Sequence, residues 1–203
     1  MEIRPLAVPD GYVLDLVSHG DPRGRFTEWY RADVLAAALG HPLTLAQANH
    51  SVSARGVLRG LHFALVPPGQ AKYVYCPAGR ALDVIVDVRV GSPAFGTVDS
   101  VLLDADQPRA VYLGEGLGHA FLSLADGTSV TYLVSSGYDP GREFGVHPLD
   151  PDLALPWPAD VDLQLSAKDE AAPTLAEARE QGLLPTMDSC AARYADLRAG
   201  SRA

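Results

Sequence analysis

Two polar stretches around His62 contain the residues best suited to chemistry. Residues 47–51 have the sequence QANHS and residues 56–63 have the sequence GVLRGLHF, a high density of polar groups for core-like runs. His62 lies between Leu61 and Phe63, so the strand face that carries it must be either core or a ligand cavity. A buried histidine with a satisfied hydrogen bond is one interpretation. A general base is the other, because an imidazole with an unperturbed pKa of about 6.5 can remove a proton at neutral pH.

Arg59 precedes His62 by three residues. Strict alternation along a strand would put the two side chains on opposite faces. Both can line one cavity only if Gly60 introduces a bulge or a twist, a role for which glycine is suited. If Arg59 and His62 belong to one site, we therefore expect the strand to be irregular at Gly60.

Tyr132 is a second candidate for proton transfer. It lies in the strand-like run SVTYLV at 129–134, on the face that it shares with Val130 and Val134. Tyrosine in a strand is common packing, with its hydroxyl bonded at the rim. A phenol can also deliver a proton to the face of a substrate opposite a base. The residue types leave both interpretations open.

The elements that would position these residues are predominantly strands. Short strand-like runs separated by Gly, Pro, Asp and Ser extend from about residue 12 to residue 146. In the clearest run, 81–90, Leu or Val occupies every even position, while three charged residues share the other face with Ile85. The fold class predicted is all-β, and further strands are expected at 72–76, 98–103, 110–113, 120–124 and 129–135.

A few peripheral helices are also expected. The run 31–39 followed by Gly40 predicts a short helix with a glycine cap. The sequence TLAE at 174–177 is a capping box, and the helix that it opens should stop at Gly182. The proline-rich stretch 148–158 should wrap the barrel. We predict one domain over residues 1–185 and a C-terminal tail over 186–203, with the last dozen residues loose.

Composition restricts the class of partner. The net charge is -9, which argues against a nucleic-acid partner because phosphate backbones require a positive surface. The chain has fourteen arginines and two lysines, Lys72 and Lys168, and two scattered lysines carry little weight by themselves. No signal-like segment or apolar run of membrane length is evident, and two cysteines give no disulfide framework. A cytoplasmic protein without a membrane partner is expected.

Several motifs in one order resemble the dTDP-4-dehydrorhamnose 3,5-epimerase family, the cupin-fold enzymes that invert carbons beside the 4-keto group of a dTDP-sugar. The resemblance extends from about Gly20 to Lys168 and includes Tyr132, Tyr138 and Trp157. Its main motifs are DPRGRF at 21–26, QANHS at 47–51, RGLH at 59–62, PPGQAK at 67–72, DVIVDVR at 83–89, GSPAFG at 91–96 and GLGHAF at 116–121.

The resemblance implies a cupin-type β-barrel (jelly roll) and a role for each matched residue. His62 would be the base, Asp169 the carboxylate that fixes its tautomer, Tyr132 the acid, and Lys72 the cation beside the 4-keto oxygen. Nucleotide, diphosphate and sugar would be held by further matched residues: Arg23, Glu28, Gln47, Asn49, Arg59, His119, Glu143 and Lys168. Tyr138 would stack on thymine. The substrate implied is dTDP-4-keto-6-deoxy-D-glucose or a related dTDP-sugar, and a homodimer is expected by the same resemblance.

No metal or other cofactor is expected. Metal-binding cupins often use a His-x-His pair, a nearby carboxylate and a later histidine, but position 64 is Ala64 and no carboxylate lies between His62 and Asp83. His119 is the remaining candidate ligand. Two separated histidines fall short of the usual three or four protein ligands. Because the proton beside a ketone is already acidic, one base and one enolate stabiliser suffice.

The chain departs from the family pattern at two places. Phe63 and Ala64 follow RGLH where Tyr-Gln is common, and we expect the loss of polar groups there to favour inversion at C3 over C5. Gly114, Glu115 and Gly116 stand where a proline often opens the loop before His119. The sequences of residues 71–76 and 111–113 resemble epimerases of antibiotic deoxysugar pathways more than housekeeping rhamnose enzymes. A 3,4-ketoisomerase and a non-catalytic sugar-nucleotide binding cupin remain the alternatives.

Overall fold

The chain folds mainly into antiparallel strands. The structure is a computed structural model that describes residues 1–200. Its strands are β1 (Glu2–Pro5), β2 (Gly11–Asp15), β3 (Ser18–Asp21), β4 (Gly24–Thr27), β5 (Gln47–Ser53), β6 (Leu58–Ala64), β7 (Lys72–Ala78), β8 (Arg80–Asp87), β9 (Val98–Asp104), β10 (Arg109–Leu113), β11 (Leu117–Ser123), β12 (Thr128–Val134) and β13 (Glu143–Gly145). Its helices are α1 (Ala32–Leu39), α2 (Ala167–Glu170), α3 (Leu175–Glu180) and α4 (Met187–Gly200).

Two antiparallel sheets face each other and enclose the core. The six-stranded sheet has the order β1-β2-β10-β7-β12-β5, and the five-stranded sheet has the order β13-β6-β11-β8-β9. Because strand side chains alternate between faces, every second residue points between the sheets. Val74 of β7 and Ile85 of β8 meet in the central apolar cluster, whereas Tyr73 packs on the outer face. The predicted all-β, cupin-type barrel is confirmed.

Different parts of the chain cover the outer faces of the two sheets. Leu35 of α1 packs with Tyr73 outside the six-stranded sheet. Outside the five-stranded sheet, Leu153 packs with Leu61 in a second buried cluster. The segment 148–158 therefore wraps the barrel, as predicted.

The strand predicted over 81–90 is shorter than expected. β8 ends at Asp87, whose carboxylate accepts a hydrogen bond from the Arg89 backbone at 3.0 Å and forms an ion pair with the Arg89 guanidinium at 2.8 Å. Arg89 is fully buried and also pairs with Asp10 at 2.6 Å. These bonds hold residues 87–89 in a turn. The other five predicted strands are present, with ends moved by at most three residues.

The two predicted helices are confirmed. α1 ends at Gly40, which adopts φ 76° in the left-handed region. α3 begins with the predicted capping box, in which Thr174 and Glu177 each bond the backbone of the other. The short helix α2 was not predicted. No helix within residues 1–200 is both long and apolar enough to cross a membrane.

The C-terminal segment is ordered where the structure describes it. Residues 187–200 form α4, and Cys190 and Tyr194 on this helix are buried against Val66. The prediction of a loose tail is therefore wrong up to residue 200, because these two side chains anchor the helix to the barrel. Residues 201–203 of the predicted tail lie outside the described residues. The assignment of residues 1–185 to one domain stays a prediction.

Candidate active site

A cavity of about 740 Å³ lies between the two sheets, beside the central apolar cluster. Both sheets and α2 contribute to its lining, which consists of Gln47, Asn49, Val57, Leu58, Arg59, His62, Gln70, Lys72, His119, Phe121, Tyr132, Tyr138, Glu143, Gln164, Leu165, Ser166, Lys168 and Asp169. Eleven of the thirteen predicted site residues are in this set, and Arg23 and Glu28 are not.

His62 of β6 is paired with Asp169 of α2. His62 Nε2 lies 2.6 Å from Asp169 Oδ1, and the carboxylate is only 7% exposed. Ser166 caps α2 by accepting a hydrogen bond from the Asp169 backbone at 3.1 Å, which fixes the start of this one-turn helix. The chain therefore brings together two residues that are separated by 107 positions.

The pairing determines which nitrogen of His62 is available as a base. Burial raises the pKa of Asp169, but the hydrogen bond and the charge interaction with His62 outweigh it and leave the pKa below its ordinary value. An ionised carboxylate accepts the Nε2 proton. In the neutral ring the lone pair then lies on Nδ1, the nitrogen that can take a proton.

The irregularity predicted at Gly60 is present. His119 pairs with His62 and Phe121 pairs with Arg59, so three steps along β6 match two steps along β11. Gly60 adopts φ +107°, and a Cβ there would lie 2.5 Å from the His119 carbonyl oxygen. The extra residue returns Arg59 to the same side of the sheet as His62, and both line the cavity.

Lys72 is the buried cation of the site. It is 8% exposed at the start of β7, beside Val134 of β12. Burial lowers the pKa of Lys72 to about 8, and the Glu143 carboxylate acts in the opposite direction. The Lys72 ammonium donates a hydrogen bond to the Gln70 amide oxygen. The Gln70 amide nitrogen in turn donates to Glu143 Oε1 at 3.1 Å.

Tyr132 lies on the six-stranded sheet, opposite the sheet that carries His62. Its ring packs on the central apolar cluster, and it lines the cavity. Burial raises the pKa of Tyr132, whereas the Arg59 guanidinium lowers it. The phenol is therefore protonated at neutral pH and has a cation nearby that would stabilise its anion.

A second histidine–carboxylate pair lies beside the first. His119 Nε2 is 2.7 Å from Asp83 Oδ2, and the Asp83 side chain is fully buried. Asp83 Oδ1 has no hydrogen-bond partner within residues 1–200. His119 and His62 are direct cross-strand neighbours, so the two rings line adjacent parts of one wall.

A family model described as dTDP-4-dehydrorhamnose 3,5-epimerase matches residues 5–177. The chain belongs to the dTDP-4-dehydrorhamnose 3,5-epimerase family. It is therefore an isomerase of the epimerase class.

Individual relatives resemble this epimerase over most of its length. A dTDP-4-dehydrorhamnose 3-epimerase from Streptomyces niveus is 53% identical over 192 residues, which cover 95% of this chain and 92% of the relative. A dTDP-4-dehydrorhamnose 3,5-epimerase from Streptomyces griseus is 50% identical over 190 residues, 94% of each chain. The crystal structure of a 3'-monoepimerase from Streptomyces bikiniensis in complex with dTDP-quinovose has a TM-score of 0.94 at 50% identity and covers 96% of this chain and 98% of that one.

The outer part of the epimerase's cavity is more polar and more exposed. Gln47 Nε2 donates to Asn49 Oδ1 at 2.6 Å, and Gln47 Oε1 accepts from the Tyr138 backbone at 3.3 Å. The Tyr138 ring is 59% exposed, so one side of it is open to a ligand. Glu143 is half-buried and Lys168 is exposed at the rim. These five predicted binding residues thus surround the mouth of the cavity.

Arg23 and Glu28 lie away from this cavity. Arg23 is in the turn of the β3–β4 hairpin, a separate two-stranded sheet, and its side chain is 89% exposed and paired with Asp21. Glu28 follows the hairpin and lines a different surface hollow with Arg31. The binding role predicted for both residues stays a prediction.

Several cavity residues of the epimerase were missed by the sequence argument. Gln70 connects Lys72 to Glu143 from the irregular segment just before β7. Gln164 and Ser166 reach the cavity from an irregular segment before α2, where no periodicity marks them. Asp83, buried behind His119, could have been noted as a carboxylate on the inward face of β8.

The residues after His62 do not form the cavity wall. Phe63 points to the outer face of the sheet, where it stacks on Phe144 with ring centroids 6.3 Å apart. Ala64 lines a separate hollow. The expectation that Phe63 and Ala64 disfavour inversion at C5 through this wall is therefore corrected, because neither residue lines the cavity.

Proposed function

We propose that the chain inverts C3 of dTDP-4-keto-6-deoxy-D-glucose, or of a related dTDP-4-keto-6-deoxyhexose, in deoxysugar biosynthesis. The observation that carries this proposal is the His62–Asp169 pair at 2.6 Å in a cavity that also contains Lys72 and Tyr132. A base, an anion stabiliser and an acid in one cavity are the groups that an inversion beside a ketone requires.

The reaction begins with removal of the C3 proton by His62 Nδ1. The electron pair of the C3–H bond forms a C3–C4 double bond, and the C4 carbonyl π electrons move to its oxygen. Asp169 holds the other ring nitrogen and stabilises the imidazolium that forms, a role that buried carboxylates have in other histidine bases. No electron acceptor or further cofactor enters this step.

Lys72 stabilises the enolate. Its ammonium is buried and has Gln70 and Glu143 as polar neighbours, so little water competes for the charge that develops on O4. A positive group fixed where charge develops lowers the barrier more than a solvated one would. The contribution of Lys72 thus belongs to the transition state.

Tyr132 completes the inversion by protonating C3 from the opposite face. It extends from the six-stranded sheet, whereas His62 extends from the five-stranded sheet, so the sugar lies between them. The Arg59 guanidinium favours the phenolate that remains. Proton exchange with solvent then returns His62 and Tyr132 to their starting states.

The remaining cavity residues hold the nucleotide end of the substrate. We assign diphosphate binding to Arg59, His119 and Lys168, thymine stacking to the exposed Tyr138 ring, and polar contacts to Gln47, Asn49 and Glu143. The Arg59 and Lys168 cations attract the diphosphate, and Asp83 orients the His119 ring toward it. The overall charge of -9 is compatible with this local cluster.

We further propose that the protein is a homodimer in which Arg23 and Glu28 reach the partner's cavity. The β3–β4 hairpin that leads to them is exposed, and Phe26 on it is 65% exposed, so an apolar side chain is available there for contact with a partner. Light scattering should give twice the monomer mass of 21.5 kDa. A monomer that still binds dTDP tightly would contradict this assignment.

Two buried free thiols, Cys76 and Cys190, support a reducing, cytoplasmic location.

The product distinguishes this function from its alternatives. Incubation with dTDP-4-keto-6-deoxy-D-glucose, followed by NMR of the sugar, should show inversion at C3 with the carbonyl still at C4. A carbonyl at C3 would indicate a 3,4-ketoisomerase. Unchanged substrate that nevertheless binds would indicate a binding protein.

A further inference from the structure

The loop Gly114–Gly116, between β10 and β11, is shaped to receive the C-terminal helix. A Cβ at Gly114 would lie 2.2 Å from the Tyr194 hydroxyl, and one at Gly116 would lie 2.5 Å from Cys190 Sγ. The Tyr194 hydroxyl donates a hydrogen bond to the Glu115 carbonyl oxygen at 3.1 Å. The two glycines therefore provide the space into which Tyr194 and Cys190 fit.

The side chain between these glycines is directed toward the segment that precedes Lys72. Glu115 is 1% exposed, and a Cβ at Gly69 would lie 2.5 Å from Glu115 Cγ, so the Glu115 stem rests directly on the Gly69 backbone. Glu115 Oε1 accepts a hydrogen bond from Ser135 Oγ at 3.4 Å. Ser135 Oγ accepts from the Ala71 backbone at 2.8 Å.

The supported segment carries the polar groups around the buried ammonium. Gly69 accepts a hydrogen bond from Ser136 Oγ at 2.8 Å, and Gln70 donates to the Ser136 carbonyl oxygen at 3.1 Å. Gln70 also accepts from Lys72. The contacts thus form a continuous series from α4 through Glu115 to residues 69–72.

We propose that α4 is a positioning element of the active site, in which Tyr194 and Cys190 hold Glu115 against residues 69–72 and thereby fix the Lys72 ammonium. This inference rests on the proposed role of Lys72. Glu115 and Tyr194 are positioning residues and do not touch the substrate. The proposed reaction does not explain why a buried glutamate lies between two glycines in this loop. In our proposal the function of Glu115 is to support residues 69–72.

The test compares Tyr194→Ala with Asp196→Ala, which changes an exposed residue of the same helix. Tyr194→Ala should lower kcat about 10- to 100-fold, the range expected when a reacting group is displaced by about 1 Å. Its Kd for dTDP should stay within about twofold of the wild-type value, because the nucleotide-binding residues lie on other segments. Glu115→Ala should give the same pattern, and Asp196→Ala should match the wild type.

The pH dependence of kcat/KM separates positioning from general destabilisation. Burial is the largest cause of the lowered pKa of Lys72, and Glu143 is the charged group that acts on it. A displaced, better hydrated Lys72 should move the alkaline decline of activity upward by about half a pH unit or more. A purely structural α4 would change the folded fraction, measured by dTDP titration, and leave both kcat per folded molecule and this decline unchanged.

Two further variants test the role of α4 if Tyr194→Ala does not fold and test the role of Lys72 separately. If Tyr194→Ala does not fold, Tyr194→Phe, which keeps the ring and loses only the hydroxyl, should lower kcat a few-fold and move the decline in the same direction. Wild-type kcat and pH dependence in these folded variants would overturn the role of α4. Wild-type kcat in Lys72→Met would instead overturn the role of Lys72 on which this inference rests, and absence of the C3-inverted product with the wild-type protein would overturn the proposed function.

Discussion

At the scale of single residues, the two lysines occupy different environments and should behave differently when replaced. Lys72 is buried, whereas Lys168 is exposed at the rim. Lys72→Ala should lower kcat more than it raises KM, because its partner is negative charge that develops only as the proton leaves. Lys168→Ala should mainly raise KM, since the diphosphate charge is the same in ground and transition states. Steady-state kinetics check this, and equal effects on kcat would contradict the division of roles.

The pKa of Lys72 predicts an alkaline limit to activity. Because burial lowers this pKa to about 8, the charged form is lost as the pH rises through about 8. Activity that needs the ammonium is therefore fully present below this pH and declines above it, and kcat/KM should fall about tenfold per pH unit. The Tyr132 phenol should titrate at higher pH, since burial raises its pKa. The residual activity of Lys72→Met should not decline near pH 8. A decline near pH 8 in this variant would show that another group causes it.

At the scale of elements, the bulge in β6 is the feature on which the shared site depends. Gly60→Ala would place a Cβ 2.5 Å from the His119 carbonyl oxygen at φ +107°. The strained backbone and the overpacked contact together should lower the free energy of unfolding by about 3 kcal/mol or more. Gly127→Ala is the matched control: φ is +70° there and no atom lies within 4 Å of the added Cβ, so about 1–2 kcal/mol is expected. Urea unfolding of both variants measures the difference, and equal losses would show that Gly60 is needed only for its φ.

Element-scale predictions from sequence succeeded where periodicity decides and failed where distant contacts decide. Alternating apolar residues revealed β8, strand-like runs between turn residues revealed β7 and β12, and a capping box revealed α3. The loss of the last three residues predicted for β8 reflects the local bonds between Asp87 and Arg89 together with the pairing of buried Arg89 with Asp10, which is far away in the sequence. α4 was missed because its pattern is weakly amphipathic and only Cys190 and Tyr194 are buried.

The candidate site could be predicted only in part for a similar reason. Local spacing pointed to Gly60 as an irregular position, and family motifs supplied Asp169 at a distance of 107 residues from its partner. The bulge could not be located from sequence because it depends on the pairing of β6 with β11, whereas Phe63 follows His62 after the bulge and ordinary alternation puts it on the opposite face. Arg23 and Glu28 were assigned to the site by family resemblance, but in the single chain neither residue lines the cavity.

At the scale of the whole molecule, we expect activity that does not depend on a metal ion, and the partners of the two cavity histidines are one reason. His62 and His119 each have Nε2 within hydrogen-bond distance of a buried carboxylate, 2.6 Å and 2.7 Å respectively. The proposed inversion needs a base, a cation and an acid, which Lys72 and Tyr132 complete. Activity should therefore survive exhaustive EDTA treatment within about twofold, less than the loss of one general catalyst would cost. Loss of turnover that a divalent metal restores would contradict this mechanism.

Deuterium incorporation from D₂O tests the central claim, proton abstraction at C3 by His62, most directly. The wild-type protein with dTDP-4-keto-6-deoxy-D-glucose should place deuterium at C3 as it forms the inverted product, and the signal at C5 in the same spectrum reports whether that carbon is also exchanged. His62→Ala should lose both inversion and C3 exchange by on the order of 10²–10⁴ in rate, while still binding dTDP. Wild-type exchange at C3 in folded His62→Ala would show that His62 is a structural histidine and would contradict the account.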